Sequence, residues 1–215
     1  MNVYRYGGPG RYGYNPVKRM SPVNTAIIAV NVIVFIIIEL IGSTTDTGLM
    51  IRWGASYWPL IRYGHEYWRL LTSAFLHFGL EHLFSNMIIL AFIGDNLERA
   101  LGKVQYLIFY LLCAVGSGAV SYGVNMLTGD NVVSAGASGA IFGVAGGILF
   151  LIIKNRGVLE DLTFFQIGMF ILFTLYQGMR SRGVDNVAHF SGLVIGFCLA
   201  ALFWNAKNIR GQRRW

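Results

Sequence analysis

Six runs of apolar residues separated by short polar connections constrain this 215-residue chain more than any other feature. Lipid offers no hydrogen bonds to a bare backbone, so segments of this kind are expected to close their N–H and C=O groups within helices. The runs are Asn24 to Ile41, Leu80 to Phe92 with an extension through Glu98, Val104 to Tyr122, Ser138 to Ile153, Phe164 to Tyr176, and Ala188 to Trp204. The expectation is an all-α, polytopic membrane protein with a six-span bundle over residues 23–205. Several runs fall short of the roughly twenty residues a bilayer core asks for, which predicts a locally thinned membrane around the protein.

Composition agrees, at 55% hydrophobic and only 13% charged residues, far from a soluble domain. A net charge of +7 raises the question of nucleic acid, and the placement of the basic residues answers it. Every Lys and Arg except Arg52, Arg62, Arg69, Arg180 and Arg182 falls on the side that six spans assign to both termini. That is the signature of topology, so both termini are expected in the cytoplasm, with the bundle in a plasma (inner) membrane and no nucleic-acid partner. Residues 1–22 read as a disordered basic tail and residues 206–215 as a basic C-terminal tail. Cys113 and Cys198 lie in apolar stretches, where a thiol packs as a small hydrophobe, and no metal-binding or disulfide spacing follows.

Between spans one and two runs a long connection, Gly42 to Leu76, carrying Trp53, Tyr57, Trp58, Tyr63, Tyr67 and Trp68. Aromatic residues at this density belong at headgroup level, and the length predicts short internal helices.

The polar residues of the even-numbered spans carry the chemistry. His77, His82 and Asn86 open span two, Ser138 opens span four, and His189 opens span six. These spans run in one direction, so their polar groups meet at one depth, where each alone would be costly in hydrocarbon. His82 and Asn86, four apart, share a helix face and offer two side-chain donors. His77 is five before His82, about 140° away if helical, which argues against a shared metal. Glu81-His82 also lacks the second histidine of a zinc peptidase, since Phe84 and Ser85 follow.

Ser138 sits among Gly136, Ala137 and Gly139 at a helix start, where backbone N–H groups point outward. Taken alone, Gly139, Gly143 and Gly147 read as a packing face, and each histidine as a hydrogen-bonded structural group. Taken together with Gly196 and Ala200 below His189, they predict that spans four and six pack closely and bring the imidazole towards the hydroxyl. A serine beside a histidine in a restricted cavity is a base-activated nucleophile. Asp185, four before His189, is read as a loop residue facing water.

Tyr67-Trp68-Arg69, the stretch His77-Phe-Gly-Leu-Glu-His82-Leu-Phe-Ser-Asn86, Gly136-Ala-Ser-Gly139, and Ala188-His-Phe-Ser-Gly192-Leu-Val-Ile-Gly196 occur in that order across the chain. In these motifs the sequence resembles the rhomboid family of intramembrane serine proteases. The resemblance implies a rhomboid-like bundle with a Ser138/His189 dyad that needs no acid, metal or cofactor. It implies an oxyanion hole of the Ser138 N–H, His82 and Asn86. His77 would be a structural neighbour, Trp68 and Arg69 would anchor the interfacial loop in lipid, and Gly192 and Gly196 would serve helix packing. Phe142 stands where relatives often carry tyrosine, which keeps an aromatic shelf under His189 without its hydroxyl. Transmembrane proteins are the implied substrates, entering laterally near span five and the loop Gln177 to Val187. The chain has the look of the minimal six-span form. Two rivals are a proteolytically inactive relative that binds membrane clients, and a transporter using its histidines and Glu39 as a proton path. The intact Ser138 and His189 weigh against the first, and the lack of half-to-half hydropathy symmetry against the second.

Overall fold

The computed structural model describes residues 21–155, 158–160, 162–180 and 183–212, with side chains described as far as 204. The tail assigned to residues 1–22 lies outside them except for Ser21 and Pro22, as do the last three residues of the second tail.

Helix α1, Pro22–Ile41, begins with proline at a position where the missing N–H costs nothing. Ser21 gives it no side-chain cap. The Glu98 carboxylate, from a later helix, accepts the Val23 and Asn24 N–H groups at 3.3 and 2.7 Å. Asn24, Ile27, Asn31, Phe35 and Ile38 form its buried stripe, at the three-and-four spacing of a helix face. Ile33, Ile36, Ile37 and Leu40 are left exposed, the distribution expected of a helix in lipid.

The long connection folds, as its length predicts, into short pieces. These are α2 (Thr47–Arg52), strand β1 (Ser56–Tyr57), α3 (Trp58–Tyr63), α4 (Arg69–Thr72) and a 3-10 turn over Ser73–Phe75. Asp46 caps α2 by accepting the Leu49 N–H at 3.0 Å. After the turn the chain bends by 90° into α5, Gly79–Leu101. Gly79 makes that corner possible with a φ of +78°.

Helix α6, Lys103–Thr128, is followed by β2, Val133–Ser134, which pairs antiparallel with β1 through Ser56↔Ser134 and Tyr57↔Val133. This small ladder ties the long connection to the segment ahead of α7, Ser138–Lys154. A hairpin of β3 (Val158–Leu159) and β4 (Leu162–Thr163) leads to α8, Phe164–Arg180, and then comes α9, Asn186–Gln212.

Among the described residues, α1, α6 and the Asn186–Trp204 part of α9 are long and apolar enough to cross a membrane, and the bent pair of α4 and α5 makes a fourth candidate. Helix α7 is shorter, at 17 residues or about 26 Å. It is also buried on every side from Gly139 to Ile148, which marks the central helix of a bundle. Ser138 is the first residue of this central helix.

Glycine brings α9 against α7. A Cβ on Gly192 would strike the backbone oxygen of Gly139, one on Gly196 that of Gly143, and one on Gly146 that of Leu193. Where lipid tails are as apolar as leucine, such backbone proximity supplies the packing that holds helices together.

Candidate active site

The backbone before α7 is set by three constraints. Gly136 has a φ of +148°, a conformation that side chains rarely adopt. Its N–H donates to the Ser73 carbonyl at 2.9 Å. The Ala137 N–H donates to Nε2 of His77 at 3.3 Å, so in this arrangement Nε2 carries a lone pair and the proton belongs on Nδ1. His77 is buried and thereby works as a strut under the loop that delivers Ser138.

Its position corrects the helical reading of residues 77–82. Because α5 starts at Gly79, His77 stands in the bend, and its ring meets that of His82 edge to face at 5.1 Å. The 140° separation held only for an unbroken helix.

Gly136 leaves a gap at the centre of the site. A Cβ there would lie 2.8 Å from Cε1 and 3.0 Å from Nε2 of His82, and 3.5 Å from Ser138 Oγ. The imidazole edge and the hydroxyl therefore face one another across a space that only glycine keeps open. Asn86, one turn after His82, is buried with its Nδ2 donor unpartnered. Buried donors of this kind are rare in native proteins and call for an explanation.

From the facing helix His189 reaches the same level. Its ring stacks on Phe142 with centroids 4.4 Å apart and planes 15° from parallel. Phe142 is one turn past Ser138, so the shelf under the imidazole is part of the helix that carries the hydroxyl. The neighbouring Ala188 lies 3.6 Å from the Cβ position of Gly139, the residue after Ser138. Among the described residues no hydrogen bond joins Ser138 to His189. Catalytic contacts in resting enzymes are often longer than a hydrogen bond and tighten with substrate.

Among the described residues no carboxylate is hydrogen-bonded to the His189 ring, whose Nδ1 is buried and unpartnered. Asp185 is not the water-facing loop residue the sequence suggested. It is half-buried, accepting the Ser121 hydroxyl at 2.5 Å and the Ala188 N–H at 2.9 Å, and so caps α9. With both carboxylate oxygens engaged, its hydrogen bond to His189 is a backbone one, the His189 N–H donating to its carbonyl at 3.1 Å.

Arg69 also departs from expectation. It is buried, not set in lipid, and donates to the Ile51 and Ala55 carbonyls at 2.6 and 3.0 Å and to Glu66 at 2.6 Å. A guanidinium suits this role, since its planar fork serves several acceptors at once. Arg69 knits the connection to itself, while the half-exposed Trp68 takes its cation at 4.6 Å over one ring face.

Beside Ser138 lies a cavity of about 40 Å³, enough for a water molecule, whose share of liquid volume is roughly 30 Å³. Its polar lining is Ser56, Ser73, Ser117, Ser121, Ser134 and Asp185, together with Ser138 itself. The sequence reading missed these hydroxyls. Ser117 and Ser121, four apart on one face of α6, carried the only periodic signal for them.

Comparison with known proteins gives the same picture from another direction. The model of the Rhomboid domain matches residues 64–206, which spans His77, His82, Asn86, Ser138 and His189. The chain is 34% identical over 174 residues to Rhomboid protease GluP of Bacillus subtilis (strain 168), covering 81% of this chain and 33% of that protein. It is 35% identical over 162 residues to RHOMBOID-like protein 2 of Arabidopsis thaliana, covering 74% and 49%. It is 29% identical over 199 residues to Putative rhomboid protease YdcA of Bacillus subtilis (strain 168), covering 89% and 94%. The chain thus spans about a third of the first relative and half of the second, and nearly all of the third. With that match running from the connection ahead of α4 to the end of the described side chains of α9, the chain belongs to the rhomboid family.

Proposed function

We propose that the protein is an intramembrane serine endopeptidase that cleaves peptide bonds in or near the transmembrane segments of other membrane proteins. The observation that carries this reading is the gap over Gly136, with Ser138 Oγ on one side and the His82 ring on the other. A scissile carbonyl seated there would present its carbon to the hydroxyl and its oxygen to the imidazole edge.

His189 accepts the hydroxyl proton as Oγ adds to the carbonyl carbon, and the oxyanion takes hydrogen bonds from His82, Asn86 and the Ser138 N–H. Collapse of the adduct breaks the C–N bond, and His189 returns the proton to the departing amine. Water from the serine-lined side then attacks the acyl ester, with His189 again acting as base, which restores the hydroxyl. The stack on Phe142 holds the ring in place through both proton transfers, in the role an acid fills in a triad.

The six-span unit over residues 23–205 is the catalytic domain in this reading. Its basic tails lie in the cytoplasm and the site opens in the other half of an inner membrane. A substrate helix enters beside α8 and unwinds locally, since helical peptide bonds are shielded and hydrogen-bonded. The names of two relatives, Rhomboid protease GluP and Putative rhomboid protease YdcA, agree with the assignment.

The test is cleavage of a single-span substrate by the purified protein in liposomes, beside Ser138→Ala and His189→Ala. Both variants should fall to background with their fold intact. Cleavage by Ser138→Ala at the unmodified rate would overturn the proposal, and so would an inert wild-type protein that still binds the substrate, the outcome that favours a client-binding role.

A further inference from the structure

Nearer the start of α6 than the serine-lined cavity, α1 and α6 leave a groove of about 440 Å³, within the roughly 300–1,000 Å³ typical of small-molecule sites. Ala26 and Val30 form one wall and Leu107 and Leu111 the other, Phe75 from the 3-10 turn completes the lining, and Lys103 stands at one end. Lys103 to Leu111 covers about 12 Å along α6. The groove is therefore an elongated apolar slot with a single charged group, placed where α6 begins.

The charge at that end is positive and not neutralised by the protein. Among the described residues Lys103 is exposed and forms no ion pair, and Gly102 gives the α6 N-terminus no side-chain cap. Neither of the two nearest acids in sequence pairs with Lys103. Glu98 accepts the first N–H groups of α1, and Asp95 accepts Asn24 Nδ2 at 2.9 Å and faces Arg99 at 3.8 Å. Pro22, at the start of α1, is part of the same lining. An apolar slot of acyl-chain proportions with an exposed lysine outside any ion pair among the described residues at its end matches one chemistry, that of an anionic lipid.

We propose that this groove holds one anionic phospholipid from the leaflet that faces the chain's termini. Its phosphate lies at Lys103 and the α6 N-terminus, and an acyl chain lies between α1 and α6 against Phe75. A lipid in that position fills the space beneath the long connection, whose 3-10 turn leads within two residues to His77.

The protein in mild detergent is titrated with phosphatidylglycerol, and separately with phosphatidylcholine of the same acyl chains, and bound lipid is counted by native mass spectrometry. One phosphatidylglycerol should be retained about fivefold more tightly than phosphatidylcholine, the effect of roughly one interfacial charge. Lys103→Gln should erase the preference and leave phosphatidylcholine binding unchanged. Ala26→Trp should lower first-site occupancy of both lipids by filling the slot, and Leu107→Phe does the same from the other wall should the first variant not fold. Equal retention of the two lipids by the wild-type protein, or undiminished occupancy in a folded groove variant, would overturn the proposal. So would a dimer in lipid-poor detergent that Ala26→Trp dissociates, since the groove would then be filled by a second copy.

Discussion

Helices α7 and α8 are both apolar and both 17 residues long, yet the protein treats them in opposite ways. In α7 every residue from Gly139 to Ile148 is buried, and its glycines lie close against backbone or side chains of its neighbours. In α8 only Ile167, Ile171 and Gly178 are buried, while Phe164, Phe165, Met169, Leu172, Phe173, Tyr176 and Met179 are exposed. One helix is held by shape from all sides, the other by a single stripe. The difference assigns rigidity to the element that carries Ser138 and freedom to the element beside it. Pre-organised hydrogen-bond donors need the first, and lateral admission of a substrate helix needs the second.

The largest effect should come from spoiling the α7–α9 contact. Gly196→Val places branched carbons against the backbone of Gly143, which has nowhere to move, and the expected outcome is loss of the folded bundle. A well-dispersed preparation with native helical content and unaltered thermal stability would show that the close approach is not needed. The matched control is Gly168→Val on α8, where a Cβ meets nothing within 4 Å, and its melting temperature should stay close to that of the wild type.

Second in size are changes that leave the bundle intact and alter the space over Gly136. Gly136→Ala sets a methyl 2.8 Å from the His82 ring on a backbone at φ +148°, and turnover should fall by at least the 10² to 10³ of a lost oxyanion donor. Asn86→Ala removes one unpartnered buried donor, and a similar fall of about 10² to 10³ in kcat is expected with little change in KM. Single-turnover cleavage rates separate these from binding effects. An Asn86→Ala enzyme as fast as the wild type would take Asn86 out of the oxyanion hole.

The contrast between α7 and α8 also marks what the sequence could reveal. His82, Asn86, Ser138 and His189 were legible because polar residues in apolar runs are few and three parallel spans fix their depth. The glycine faces were legible because small residues at helical spacing have one main use in lipid. The orientation of Asp185, the burial of Arg69 and the place of His77 in a bend were not. Each depends on where a loop turns, and a bend at Gly79 or a ladder between Ser56 and Ser134 is a tertiary event with no periodic trace. The looseness of α8 was hidden for the same reason. Its apolar composition resembles that of α7, and only neighbours distinguish a buried helix from a lipid-facing one.

The smallest predicted effect tests whether α8 limits turnover. Phe170 is its contact with the site, with its ring 5.9 Å from that of Phe142, which in turn supports His189. An aromatic pair of this kind contributes about 0.5–1.5 kcal/mol beyond its buried area. If parting α8 from α7 precedes each cleavage, Phe170→Ala lowers that barrier, and kcat should rise by roughly two- to tenfold on a transmembrane substrate. A short soluble peptide that reaches Ser138 from the aqueous side should show no gain. If instead Phe170 serves mainly to steady the shelf under His189, both substrates slow together. The ratio of the two rates, more than either alone, therefore decides whether α8 is a moving element or part of the framework.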